Sequence, residues 1–278
     1  MCLIFERLDS NSNLLDDIIR ERFLNNFDKS SPYYKKNNKI LHWTNLGSTD
    51  GKNICKRWFD YILDPIKSGQ KFYSYILGLN ETYLNKEEFD PRDKFGSVYN
   101  RFFRSTIEYG VKTFFLGENF NKIIIKNIYH EQGQQQYNPY FPWHPIDKLS
   151  KETSFIFKSQ EITFLTKDHN INPESNILQL CDCFLGAVVN IIHGLKNPNS
   201  NRAKVKKELI DLILPLIQRI MENPSNKNSK YQYANRIIIR SFPKDKTLPT
   251  DDKRKTFQYY TKRKMKYLED KSKQLSLF

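Results

Sequence analysis

The sequence predicts an α/β fold. Helical periodicity alternates with short β-rich runs along most of the 278 residues, the order expected when helices are layered on a sheet. Two runs, 71–79 and 122–129, are dense in branched and aromatic residues and read as strands. A third observation places one helix: Asn172-Pro173-Glu174 offers an N-cap, a proline for the first helical position and an acidic first turn.

In chain order, residues 2–6 read as a strand and 13–27 as a helix. Lys39-Ile40-Leu41-His42-Trp43 reads as short and extended, and 52–67 as a second helix. After the strand at 71–79 comes a long helix over 93–115, with Val98, Phe102, Ile107 and Val111 among its apolar positions. The strand at 122–129 leads into a Gln- and Pro-containing loop over 132–145, a short helix over 146–152 and a strand at 161–166. The helix that opens at Asn172-Pro173-Glu174 then runs to His193-Gly194. Asn197-Pro198-Asn199-Ser200-Asn201 reads as a linker. Beyond it lie an amphipathic helix over 202–222, kinked at Pro215, and a strand at 236–240. The expected organisation is one α/β domain over 1–195, followed by a helical and basic extension over 196–278.

A hydrophobic fraction of 38% with 14% aromatics suffices for a core. The net charge of +14 favours a polyanionic partner, nucleic acid ahead of a membrane surface. The final segment carries Lys253, Arg254, Lys255, Lys262, Arg263 and Lys264 with Phe257, Tyr259 and Tyr260 between them. Such cations neutralise phosphates, and such rings stack on unpaired bases. The four cysteines, Cys2, Cys55, Cys181 and Cys183, are too few and too scattered for a disulfide framework. Cys181 and Cys183, two apart on a helix, point in different directions and read as small core residues. No leader or membrane-spanning run is recognised, so a cytoplasmic protein is expected. There is no His-Glu-x-x-His, no Cys-x-x-Cys, no phosphate-binding glycine loop and no serine nucleophile elbow.

The most informative single residue is Asp182, in the apolar stretch from Ser175 to Val189. At helical spacing it shares a face with Leu178, Leu185, Gly186 and Val189, which aims it toward packed structure. Buried carboxylates are met by a metal, a cation or several hydrogen bonds.

Three segments resemble a large bacterial domain-of-unknown-function family with an RNase H-like fold. Gln179-Leu180-Cys181-Asp182 with Leu185-Gly186-Ala187 is similar to that family's closing Gln-Leu-Ala-Asp helix. Residues 39–46, with His42-Trp43, resemble a motif after its first helix, and 123–131, ending Tyr129-His130-Glu131, its central strand. The resemblance covers roughly residues 1–195. It implies a mixed sheet flanked by helices and an acidic metal site at the strand ends. The family's opening Asp-Glu-Ser-Gly strand has no counterpart, because Met1 stands where the second strand would begin. The expectation is therefore either a shortened reading frame or an incomplete site.

Two-metal phosphodiester cleavage places several carboxylates around Mg2+ or Mn2+ ions. The expected catalytic and metal-holding residues are Glu131 and Asp182, with His130, Asp168, Gln179 and His42 as accessory candidates. Strand alternation lets only one of His130 and Glu131 face the site. The expected function is a divalent-metal-dependent nuclease. The alternative is a catalytically incomplete nucleic-acid-binding or regulatory protein on the same scaffold, with a protein partner also open.

Overall fold

The computed structural model describes residues 1–8, 13–69, 71–79, 97–116, 122–195, 197–222 and 236–242. The basic segment with Lys253, Arg254, Lys255, Lys262, Arg263 and Lys264 lies outside the described residues, as do residues 93–96 of the helix expected over 93–115. The architecture is mixed α/β, a small mixed sheet with helices on both faces.

The sheet has the order β1–β2–β7, formed by β1 (Cys2–Glu6), β2 (Phe72–Leu79) and β7 (Ile237–Phe242). β1 runs antiparallel to β2, with Ile4 opposite Ser74, and β7 runs parallel to β2, with Ile238 opposite Tyr75. Alternation along the strands sends Phe72, Ile76, Ile237 and Ile239 to one face and Tyr75, Leu77 and Ile238 to the other.

The first face is covered by α1 (Leu14–Phe23), α3 (Thr49–Leu63), α7 (Ser175–His193) and α8 (Asn201–Glu222). Leu14, Ile18, Trp58, Phe59, Phe184, Ile213 and Ile217 form the main core there. The second face meets α5 (Ser97–Phe114), which also packs on α6 (His144–Leu149) around Phe103, Ile107, Phe141 and Leu149. The described residues past 196 thus join the same core instead of making a separate extension. β7 takes a place beside β2, and α8 lies on α3 and α7.

Local chemistry sets the helix ends. The Asn13 side chain caps α1 by accepting from Asp16 N at 2.6 Å. α1 ends at Leu24 and Asn25, both in the left-handed region, short of the 27 expected. Ser31 caps a short α2 (Pro32–Asn37) that the sequence pattern did not reveal. The helix expected over 52–67 divides at Pro65. Asp64 is driven into an extended conformation before the proline, and its side chain caps α4 (Pro65–Ser68). Pro215 lies inside α8.

Two expectations need correction. The run 122–129 is not one central strand of the main sheet. It splits into β3 (Ile123–Ile125) and β4 (Tyr129–Glu131), which pair in parallel with β5 (Phe155–Phe157) and β6 (Thr163–Leu165) respectively. The second correction concerns α7. It begins at Ser175, after a turn in which the Ser175 N–H donates to Asn172 O and the Asn176 N–H to Pro173 O, and Glu174 makes no side-chain cap. Its most buried face carries Gln179, Leu180, Cys183, Phe184, Ala187 and Val188, so Asp182 flanks the core with its side chain 26% exposed. A helix apolar on nearly every side gives no stripe by which its inner face can be told. By length and composition α7 could cross a membrane, the one described helix that could.

Candidate functional site

The site is built where the loop after α2 crosses α7. Gln179, Asp182, Gly186 and Asn190 follow one another at three- and four-residue steps, so they form a ridge along the helix. Each holds part of the loop. Gln179 Oε1 accepts from Leu41 N at 2.9 Å, and Asp182 Oδ2 accepts from Trp43 N at 2.8 Å. The Trp43 side chain packs against Gly186, where an added Cβ would overlap its Cγ and Cδ1. The indole N–H donates to Asn190 Oδ1 at 3.1 Å. Glycine is required at 186 because any side chain would enter the indole.

The same helix ties down the end of β6. Ser175 Oγ donates to Thr166 O at 2.5 Å, and Gln179 Nε2 donates to Lys167 O at 2.7 Å. That anchorage aims the Lys167 side chain, only 10% exposed, between two carboxylates. Its Nζ lies 3.2 Å from Glu131 Oε1 and 3.4 Å from Asp182 Oδ2. β4 and β6 are register partners, Glu131 opposite Leu165, which brings Glu131 to the same strand end.

His42 completes the cluster. Its Nδ1 is 2.9 Å from Asp182 Oδ2, and its Nε2 is 3.1 Å from Lys167 Nζ. An ammonium only donates, so it requires a bare Nε2. The neutral ring then carries its proton on Nδ1 and donates to Asp182. Lys206 of α8 stands nearby, 5.4 Å over the Trp43 ring, and donates to Thr44 O at 3.2 Å. Burial, with Arg202 next in effect, lowers its pKa.

Beneath this cluster Arg22 is fully buried with no carboxylate contact among the described residues. It donates to Asn37 O, Lys39 O and Gln179 Oε1, at 3.2, 2.9 and 2.6 Å, and stacks 4.9 Å over Trp58. Burial brings its pKa down to about 10. His169 sits beside it and is held neutral, its pKa near 4, by burial and then by the Arg22 charge.

Of the residues expected from sequence, Glu131, Asp182 and His42 come together around Lys167. Gln179 lies one turn below and orients backbone, not a ligand. His130 turns to the opposite side. Its Nε2 meets Tyr99 Oη at 2.9 Å, its Nδ1 meets Glu131 O at 2.6 Å, and Phe103, Phe141 and Phe164 surround the ring. Burial lowers its pKa, and it reads as a satisfied core histidine, not an acid or base of the site. Asp168 is a turn residue, its Oδ1 accepting from Asn170 N and Nδ2 at 2.9 Å each, and those bonds lower its pKa.

Sequence reasoning missed Lys167, Lys206 and Arg22. Lys167 carried one usable signal, since it directly follows a strand that ends beside the acidic helix. The donor set suits a divalent ion poorly. Among the described residues no group of three or more His, Cys, Asp or Glu side chains could hold one, and a lysine ammonium stands between the two carboxylates present. Comparison with family models, curated proteins and solved structures gave no match.

Proposed function

We propose that this protein binds nucleic acid on an RNase H-like scaffold, with Lys167 in the place between Glu131 and Asp182 that a divalent cation takes in a metal-dependent nuclease. The observation that carries this reading is the Lys167 ammonium, 3.2 and 3.4 Å from the two carboxylates. An ammonium balances their charge but offers no open coordination position for a water or a phosphate oxygen, which metal-assisted hydrolysis requires.

A polyanionic partner is supported by the net charge of +14 and by Arg202 and Lys206, one helical turn apart on α8 beside the His42–Trp43 loop. The scaffold is supported by the mixed sheet with helices on both faces and by the closing helix that brings Asp182 to the ends of β4 and β6. A second reading, a Mg2+- or Mn2+-dependent nuclease, is favoured by the convergence of Glu131 and Asp182 on one point. It needs further carboxylates from outside the described residues.

Labelled single-stranded and duplex oligonucleotides, DNA and RNA, titrated at 50 and 200 mM salt would test the proposal by fluorescence anisotropy. The expected result is binding that weakens steeply with salt, is unchanged in Asp182→Asn and needs no divalent ion. Cleavage that requires Mg2+ or Mn2+ and disappears in Asp182→Asn would establish the nuclease instead.

A further inference from the structure

Between β1 and the β3–β4 segment lies a cavity of about 960 Å3. Two backbone edges line it. Among the described residues β1 pairs only with β2, and β3 only with β5.

The ladders show which groups face the gap. Met1 and Leu77 exchange both backbone bonds, Met1 N to Leu77 O and Leu77 N to Met1 O, each 2.9 Å. Antiparallel alternation therefore makes Leu3 and Phe5 the bonded residues of β1 and turns the N–H and C=O of Ile4 outward. Ser74, opposite Ile4, confirms the parity by donating its N–H away from β1, to Arg236 O at 2.8 Å. On the other wall Ile123 N donates to Ser154 O, and Ile125 O accepts from Lys158 N. The backbone groups of Ile124 between them point away from β5.

The gap has the dimensions of a strand. One strand residue fills roughly 160 Å3, from a rise of ~3.3 Å, a strand spacing of ~4.8 Å and a layer spacing of ~10 Å. The cavity thus matches about six residues. Its two remaining walls are helical and apolar, Ile107, Val111 and Phe114 of α5 on one side and Ile177, Leu178 and Cys181 of α7 on the other. A strand lying there is covered on both faces, so it must be apolar at consecutive positions and not only at alternate ones. Lys122 and Lys126, both exposed, bracket β3 at its two ends.

We infer that this cavity receives an extended apolar segment of another polypeptide, about six residues long and flanked by acidic residues, which adds a strand between β1 and β3. The segments of this sequence outside the described residues, 9–12, 80–96, 117–121, 223–235 and 243–278, contain no run of more than two consecutive apolar residues. They lack the composition the slot selects. The lining is net positive, Arg7, Lys122 and Lys126 against Glu6 and Glu174, and the acidic flanks answer the two lysines at the ends of β3.

The probe is the fluorescent peptide Asp-Glu-Val-Ile-Val-Ile-Val-Glu-Asp, blocked at both ends, titrated with the full chain. Two variants remove one outward N–H each, Ile4→Pro and Ile124→Pro. Neither N–H is used in a ladder, and proline is tolerated on such edges. Ile124 is exposed, so its variant keeps the test available should Ile4→Pro fold poorly. The expected result is one-to-one binding with a dissociation constant below about 100 µM, at least tenfold weaker in each variant that retains the wild-type circular dichroism spectrum. Lack of binding to the wild type, or unchanged binding to a folded proline variant, would overturn the inference. So would a dimer of the chain alone, seen by sedimentation and abolished by Ile124→Pro, because the occupant would then be a second copy.

Discussion

Replacing Lys167 by Met removes the cation shared by Glu131 and Asp182 while keeping most of the side-chain volume. At 3.2 and 3.4 Å each pair has a gross attraction of about 5 kcal/mol at an effective dielectric of 20. Most of that is offset by desolvation and screening. Glu131 is 45% exposed, so its pair contributes no more than about 1 kcal/mol. Asp182 is 26% exposed and holds the Trp43 N–H as well, so its pair contributes about 1–2 kcal/mol. The expected loss is therefore about 1–3 kcal/mol, a fall in Tm of roughly 2–5 °C for a chain of this size. The variant should also acquire a response to Mn2+. Two carboxylates without their ammonium form a weak cation site, and at ten times its dissociation constant the ion stabilises by about 1.4 kcal/mol. Thermal denaturation with and without 10 mM MnCl2 reads both effects. A wild type stabilised by Mn2+ as much as Lys167→Met, or a variant with unchanged Tm and no Mn2+ response, would refute the assignment of Lys167 as the internal cation.

Gly186→Ala should lower stability by about 1–3 kcal/mol or more, because the new methyl enters the Trp43 ring, and the near-ultraviolet circular dichroism of the indole should change with it. Gln179→Leu strips partners from Arg22, Leu41 N and Lys167 O together, at about 1–3 kcal/mol for each buried group, so urea denaturation should show the largest loss of any single change in the site. Stability should fall as pH drops from about 6.5 towards 4. His169 has a folded pKa of about 4 against 6.5 when unfolded, so across that window the unfolded chain binds the extra proton. The decline should stop below about 4 and be shallower in His169→Gln, while a profile identical to wild type would show that this ring is not the group responsible.

Much of the fold was legible because it follows from local periodicity. The strands at 2–6 and 72–79 and the long helices around 102–111, 175–193 and 201–222 carry patterns that no short turn imitates. What failed was partner choice. Residues 122–129 have the composition of one strand, yet the chain bends at Lys126–Ile128 and pairs first with 155–157 and then with 163–165, neither of which composition could assign. The site was half legible for the same reason. Asp182 stood out as an acid in apolar sequence that needed a counterpart, and Glu131 as an acid at a strand end. Their counterpart, Lys167, looks like any of the chain's many lysines until Gln179 and Ser175 fix the strand end on which it rides. Arg22 gave no signal at all. In sequence it is one more basic residue in the last turn of a helix, and only the fold surrounds it with carbonyl oxygens.

Trp43 rests against Gly186 with the Lys206 ammonium above it, so its emission depends on the same cation that an incoming phosphate would draw away. The molecule therefore carries its own optical probe beside His42. A ligand arriving there should register as a change in tryptophan fluorescence without any label, and Lys206→Met should mimic that change before ligand is added.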